Sequence, residues 1–141
     1  MAAYSELPVG LSLIVCDTII EDKLTSKKSL IGLFGRINVR SLPVVHPSMS
    51  LLITLTGGNG TYPMEVQCTH AELDAPVFSV TCDVKCDSPM QVLELVFQLK
   101  NIRFPLPDYY WIKVLIDGVP IMMRPLQVVA RPASETPSEM N

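Results

Sequence analysis

The sequence contains few charged residues, few aromatic residues and no excess of positive charge. Charged residues make up 18% of the 141 residues and aromatic residues 6%, which excludes a highly charged coiled coil. The hydrophobic content of 48% also excludes a largely disordered chain. Because 11 basic residues face 14 acidic ones, the chain lacks the basic excess that nucleic-acid-binding domains carry. We therefore expect no nucleic-acid partner.

The sequence also lacks a long hydrophobic run. No apolar stretch approaches the roughly 20 residues that a membrane span needs, and Asp17 interrupts the apolar stretch near the N-terminus. The first ten residues contain no Lys or Arg, and no small-residue cleavage site follows, so we expect neither a secretory signal nor membrane association. We accordingly expect a cytoplasmic protein with reduced thiols. The cysteines are Cys16, Cys68, Cys82 and Cys86.

At 15.6 kDa, the chain has the size of one domain. We assign residues 1–10 to an N-terminal extension and residues 11–130 to the domain itself. Residues 131–141 are polar and contain Pro132 and Pro137, so we expect a disordered tail there.

Short segments with alternating apolar residues predict an all-β fold. Twelve prolines and seven glycines punctuate the chain at short intervals, a pattern that favours many short strands over a few long helices. The period-two alternation is clearest in Met49–Thr56, whose residues Met49, Leu51, Ile53 and Leu55 share one face. The other predicted strands are Leu11–Cys16, Ser29–Phe34, Thr61–His70, Val77–Cys86, Tyr109–Ile116, Val119–Met123 and Gln127–Ala130. Seven to nine such strands predict a single antiparallel β-sandwich.

One segment, Ser88–Leu99, supports two structural interpretations. Ser88 and Pro89 could begin a helix, because Val92, Leu95 and Leu99 follow with helical spacing. The strand interpretation places Leu93, Leu95, Phe97 and Leu99 on one face. We favour the strand because every neighbouring element is a strand.

Several short motifs resemble a family of small bacterial all-β proteins that is classified only as a domain of unknown function. They are Cys16-Asp17, Ser29–Phe34, Leu42-Pro43 with His46-Pro47, Phe104-Pro105-x-Pro107-Asp108-x-Tyr110, Asp117-Gly118 and Arg124-Pro125-Leu126. The resemblance covers residues 11–129. The motif that ends at Tyr110 is similar to one found in many immunoglobulin-like sandwiches. The resemblance therefore implies an immunoglobulin-like β-sandwich, and it implies no catalytic residue.

Three cysteines and one histidine form a candidate metal-binding set. Cys68, His70, Cys82 and Cys86 share the even-numbered face of two neighbouring predicted strands, and thiolates with imidazole are typical zinc ligands. The strand registers that this pattern allows are expected to bring Cys68 and Cys82 close together. A disulfide between those two, and simple burial of the cysteines as small hydrophobic residues, remain open alternatives.

A set of apolar residues is predicted to face away from the core. If Tyr110 and Ile112 point inward, Trp111 and Leu115 point outward, and the same logic places Leu52 and Val96 on outer faces. Contiguous exposed apolar residues are typical of a partner surface, although the N-terminal segment or a crossing loop could instead cover them.

These observations favour a non-enzymatic module that binds another protein or itself. The sequence contains no Gly-x-Ser-x-Gly nucleophile motif, and its Gly57–Gly60 segment lacks the Lys and the helix of a phosphate-binding loop. We expect no cofactor, and either a homo-oligomer or an unidentified protein partner. The alternative is a small ligand-binding or metal-binding protein, or an enzyme, that uses Cys, His or Asp residues at one end of the sandwich. A pocket lined by His46 and aspartates at strand ends would favour that alternative.

Overall fold

A computed structural model describes residues 6–131 of the chain, and this region consists of nine β-strands with no helix. The strands are β1 (Val9–Glu21), β2 (Lys28–Leu33), β3 (Arg36–Val39), β4 (Val44–Thr56), β5 (Gly60–His70), β6 (Pro76–Cys86), β7 (Leu93–Phe104), β8 (Asp108–Ile116) and β9 (Val119–Ala130). The prediction of an all-β protein is confirmed. Within this region, no helix is long and apolar enough to cross a membrane.

The strands form two sheets that enclose one hydrophobic core. The four-stranded sheet has the order β2-β1-β4-β7, the five-stranded sheet has the order β3-β9-β8-β5-β6, and one of the two is curled into a half-barrel. Every neighbouring pair is antiparallel except β3 and β9, which are parallel from Arg36↔Gln127 to Val39↔Ala130. The prediction of a purely antiparallel arrangement is therefore wrong at this edge. β3 and β9 are far apart in the sequence, so no hairpin turn joins them and forces them to be antiparallel.

The central strand of the four-stranded sheet confirms the alternation predicted from the sequence. Met49, Leu51, Ile53 and Leu55 of β4 are each fully buried. They belong to the same core cluster as Ile112, Val114 and Ile116 of β8, which are also fully buried. Burying one such aliphatic side chain contributes about 1.5–3 kcal/mol, so these residues account for much of the attraction between the sheets.

Two segments clarify the boundaries of the predicted strands. Leu93–Phe104 is strand β7, and Ser88–Val92 lies in the connection before it, so the strand interpretation is confirmed. The two predicted strands Val119–Met123 and Gln127–Ala130 are one continuous strand, β9, that runs through Pro125. Pro125 can be accommodated because β3 joins β9 only from Gln127 onward, which leaves one edge of β9 free at the proline.

Both ends of the described region are attached to the sheets. β1 begins at Val9, so the last two residues of the expected N-terminal extension belong to a strand. The Tyr62 hydroxyl donates to the Glu6 carbonyl at 3.1 Å. At the other end, the Arg131 amide donates to the Val39 carbonyl at 2.7 Å. The rest of the expected tail, residues 132–141, lies outside the described residues, as do residues 1–5.

Candidate functional site

A pocket opens where strand β1 changes its partner. β1 pairs with β4 as far as Cys16↔Ser50, and beyond Cys16 it pairs only with β2. The β1–β2 hairpin and the first residues of β4 therefore diverge, and the gap between them is a cavity of about 650 Å³. This volume lies within the range of small-molecule sites, roughly 300 to 1,000 Å³. The lining consists of Asp17, residues 32–34, residues 36–40 and residues 44–47.

The lining brings together charged groups that are not paired with one another. Asp17 comes from β1, Arg36 from β3 and Arg40 from the segment that follows β3. These three side chains make no hydrogen bond or ion pair with any residue of the described region. The pocket thus offers one carboxylate and two guanidinium groups that a ligand can engage.

His46 adds an imidazole to the pocket, and this imidazole is mostly neutral at pH 7. It lies within β4, with its ring 6.0 Å from the Phe34 ring between centroids. Burial lowers the pKa of the His46 imidazole, and this effect outweighs the Asp17 carboxylate and the Ser48 backbone, which act in the opposite direction. Its Nε2 atom is buried and has no hydrogen-bond partner within residues 6–131.

A glycine makes room for the Asp17 side chain. Gly32 of β2 has a φ of +75°, and a Cβ atom added to it would overlap Asp17 Oδ2. Position 32 therefore favours glycine for two reasons, the backbone conformation and the close approach of Asp17. This contact holds the Asp17 carboxylate against the wall of the pocket.

The lining combines polar and apolar side chains and contains no Ser, Thr, Cys or Lys. Its carboxylate is that of Asp17 and its imidazole that of His46. The sequence analysis named a pocket lined by His46 and aspartates at strand ends as the feature that would favour a ligand-binding protein. Their proximity depends on where β1 leaves β4, which no local motif encodes.

The candidate metal-binding residues are not brought together. Cys68 pairs with Phe78 and Cys82 pairs with Met64, so the two thiols lie four residues apart along the strands, roughly 13 Å. The prediction that they are neighbours is wrong, because alternation allows several registers in steps of two residues and the observed register displaces these thiols by four residues. Cys82 is exposed while Cys68 and Cys86 are buried. Among the described residues, no three or more His, Cys, Asp or Glu side chains are placed to hold a metal ion.

His70, the remaining member of that set, has a structural role. Its Nδ1 atom accepts hydrogen bonds from the amides of Glu72 at 3.2 Å and Leu73 at 3.1 Å, which holds the turn between β5 and β6. Its Nε2 atom lies 3.1 Å from Asp108 Oδ2, but outside hydrogen-bond alignment. The His70 ring also packs edge-on against Tyr110 at 5.2 Å.

The four residues predicted to face outward lie on two opposite surfaces. Trp111 and Leu115 belong to β8 in the five-stranded sheet, whereas Leu52 and Val96 belong to β4 and β7 in the four-stranded sheet. The inward positions of Tyr110 and Ile112 confirm the predicted faces of β8. Leu52 is only 8% exposed, because its register places it between Ile14 and Val96.

On the five-stranded sheet, an apolar surface surrounds Trp111. We define the Trp111 face as Tyr109, Trp111, Leu115, Met123 and Pro125. Trp111 lies directly opposite Pro125, and Met123 lies opposite Lys113 on the same strands. Tyr109 and Met123 are each 50% exposed. Trp111 and Leu115 are half-buried, and Lys113 lies between them on β8. These residues therefore share the outer side of β8 and β9.

Fold and pocket together define an all-β domain with a ligand-sized cavity at one end. Residues 11–129 match the family of unknown function DUF6941. The chain belongs to this family. No protein of curated function matches the sequence significantly.

Solved structures show only remote similarity. The alkylpurine DNA glycosylase AlkC of Pseudomonas fluorescens bound to DNA containing an abasic site analog aligns with a TM-score of 0.47 and 11% identity, covering 68% of this chain and 28% of that chain. The β-glucosidase of Listeria innocua in complex with glucose aligns with a TM-score of 0.49 and 11% identity, covering 92% of this chain and 17% of that chain. This chain thus spans about a quarter or less of those proteins, and their activities carry no argument for it.

Proposed function

We propose that this domain is a non-enzymatic protein that associates with a second copy of itself through the Trp111 face. The observation that supports this proposal is the set of apolar side chains that the Trp111 face gathers on the outer side of β8 and β9, with a tryptophan among them. Tryptophan and tyrosine are typical anchors of protein interfaces, because they bury a large area at a small cost in side-chain entropy.

The charges on this surface favour a second copy as the partner. Lys113 lies between Trp111 and Leu115 on β8, and its ammonium group is unpaired among the described residues. Glu65 is the register partner of Leu115, and its carboxylate accepts hydrogen bonds from Gln67 at 3.0 Å and Ser79 at 2.6 Å. When two such faces pack about a two-fold axis, Lys113 of each copy can meet Glu65 of the other.

Sedimentation velocity at high micromolar concentration tests this proposal. We expect the unchanged protein to sediment as a dimer and Trp111→Ala to shift it towards the monomer. The free energy of unfolding should fall by less than about 1.5 kcal/mol, below the usual cost of truncating a buried tryptophan. Val96→Ala, on the opposite outer face, is the matched control and should leave the dimer intact.

A charge-exchange experiment distinguishes a specific interface from non-specific hydrophobic association. Lys113→Glu should weaken the dimer, because it places two carboxylates where the proposal pairs opposite charges, and adding Glu65→Lys should restore association. A clean monomer of the unchanged protein, or equal effects of Trp111→Ala and Val96→Ala, would overturn the proposal.

A second candidate function is the binding of a small ligand at the pocket between β1, β3 and β4. The specific observation in its favour is that His46 and Asp17 line one ligand-sized cavity together with two unpaired arginines. Clefts of this size with a few convergent polar groups are the usual form of small-molecule sites.

We also infer an immunoglobulin-like arrangement and a reducing compartment such as the cytoplasm. The Tyr110 hydroxyl donates to the Leu106 carbonyl at 2.7 Å and accepts from the Leu106 amide at 3.2 Å. A tyrosine that bonds back to the backbone a few residues upstream is a recurrent feature of immunoglobulin-like sandwiches. The four unpaired cysteines support the reducing compartment.

A further inference from the structure

We propose that the pocket between β1, β3 and β4 binds a small carboxylic acid that also carries an amino group, that is, a ligand of amino-acid type. This inference rests on the second candidate function and names its ligand class. Three observations carry it: the same pocket is lined by unpaired arginines, by an unpaired carboxylate and by apolar side chains.

The arginine side of the pocket fits a carboxylate. Arg36 and Asn38 share one face of β3, opposite the core residue Ile37, and Arg40 continues the same alternation. The Asn38 amide oxygen accepts a hydrogen bond from Arg131 Nε at 3.1 Å, so a third guanidinium group lies beside β3. A planar guanidinium group binds a carboxylate through two parallel hydrogen bonds. Arg36 and Arg40 are roughly 13 Å apart along the chain, so one carboxylate engages one of them.

The Asp17 carboxylate fits an ammonium group. The Asp17 carboxylate lies over Gly32 and has no cation bound to it in the described region. The neighbouring His46 is neutral and presents no competing positive charge. Phe34 and Val45 supply apolar surface for the body of the ligand.

The charge balance distinguishes this ligand class from two others. A multiply charged phosphate would engage the arginines but would be repelled by the Asp17 carboxylate, which it leaves without a counter-charge. A metal ion would find one carboxylate and one imidazole, fewer ligands than the four that a structural zinc site provides. A zwitterion instead satisfies both signs of charge at once.

Three probes with the same apolar body test the inference by NMR titration of the ¹⁵N-labelled protein. The probes are L-phenylalanine, 3-phenylpropanoate, which has only the carboxylate, and 2-phenylethylammonium, which has only the amine. At roughly millimolar concentrations, we expect L-phenylalanine to shift the backbone amides of residues 32–46 most strongly. Each single-group probe should bind at least about tenfold more weakly, because it loses a charge-assisted hydrogen bond.

Two variants and a control assign the groups. Asp17→Asn should abolish the advantage of L-phenylalanine over 3-phenylpropanoate, and Arg36→Gln with Arg40→Gln should abolish its advantage over 2-phenylethylammonium. Arg103→Gln changes an exposed arginine of β7 that does not line the pocket. This variant should leave both advantages of L-phenylalanine unchanged. If a single-group probe binds the same amides as tightly as L-phenylalanine, the pocket binds ligands but the proposed class is wrong. If no probe shifts these amides, the inference is overturned.

Discussion

At the scale of single residues, the cysteines differ in how far solvent can reach them. Cys16 and Cys68 are fully buried and Cys86 is 4% exposed, whereas Cys82 is exposed on the edge strand β6. Burial raises the pKa of the Cys68 thiol to about 12, so it carries almost no thiolate at neutral pH. Burial and then Asp83 also raise the pKa of the Cys82 thiol, but this thiol remains accessible.

We therefore expect one thiol of the folded protein to react rapidly with a disulfide reagent. Because the thiolate is the reactive form, the rate at Cys82 should increase as the pH rises towards its raised pKa and level off above it. Titration of the folded protein should show one fast equivalent, and titration in denaturant without reductant should show nearly four. The variant Cys82→Ser should lose the fast phase alone. Two equivalents or none in denaturant would instead reveal disulfides and contradict the reducing compartment.

At the scale of elements, alternation predicted most strands because their side chains meet two different environments. In β8, and in β4 from Met49 onward, every second residue packs in the core. These positions carry apolar side chains, so the alternation is visible in the sequence. β3 escaped prediction because it has four residues, too few for the pattern to emerge, and because it pairs with β9 across more than 80 residues of chain. The second half of β1 was not predicted as a strand because beyond Cys16 it no longer pairs with β4.

The same limit applies to the candidate site. His46 and Asp17 were recognisable as residues that can carry chemistry, but the pocket arises from a change of strand partner. Likewise, the alternation along the strands assigned Cys68 and Cys82 to the same face of the sheet, and only the register between β5 and β6 shows that they are far apart. The outward direction of Trp111 was predictable from Tyr110 and Ile112, whereas its distance from Leu52 was not.

Strand β2 offers a test of how the pocket wall is built. We expect Gly32→Ala to destabilise the protein by more than the roughly 1–2 kcal/mol that a left-handed conformation costs an L-residue, because its Cβ also overlaps Asp17. Gly118→Ala is the matched control: its φ is +79°, but no atom lies within 4 Å of the added Cβ. Urea denaturation provides both values.

A double variant isolates the contact between β1 and β2. In an Asp17→Ala background, the cost of Gly32→Ala should fall towards that of Gly118→Ala, because the overlapping carboxylate is gone and only the Cβ of residue 17 remains, at 3.1 Å. Equal costs of the two glycine substitutions in the unchanged background would show that Asp17 does not rest on Gly32.

At the scale of the whole molecule, stability depends on how the chain passes between the sheets. It changes sheet at the β2–β3, β3–β4, β4–β5, β6–β7 and β7–β8 connections. The last of these crosses through 105–107 and is held by the Tyr110 hydroxyl, which both donates to and accepts from Leu106. The Tyr110 ring in turn packs against Phe104 at 5.1 Å. One side chain therefore joins the end of β7, the crossing segment and the start of β8.

Removing this hydroxyl should weaken the connection between the sheets while leaving the core filled. We expect Tyr110→Phe to lower the free energy of unfolding by about 1–2 kcal/mol, because the Leu106 amide and carbonyl both lose their partner. Tyr109→Phe is the matched control on the same strand: Tyr109 is half exposed and its hydroxyl makes no hydrogen bond within the described residues, so its effect should stay within about 0.5 kcal/mol. Urea denaturation measures both, and hydrogen exchange of the Leu106 amide should accelerate only in Tyr110→Phe. If the two variants are equally stable, the hydroxyl of Tyr110 does not hold the crossing.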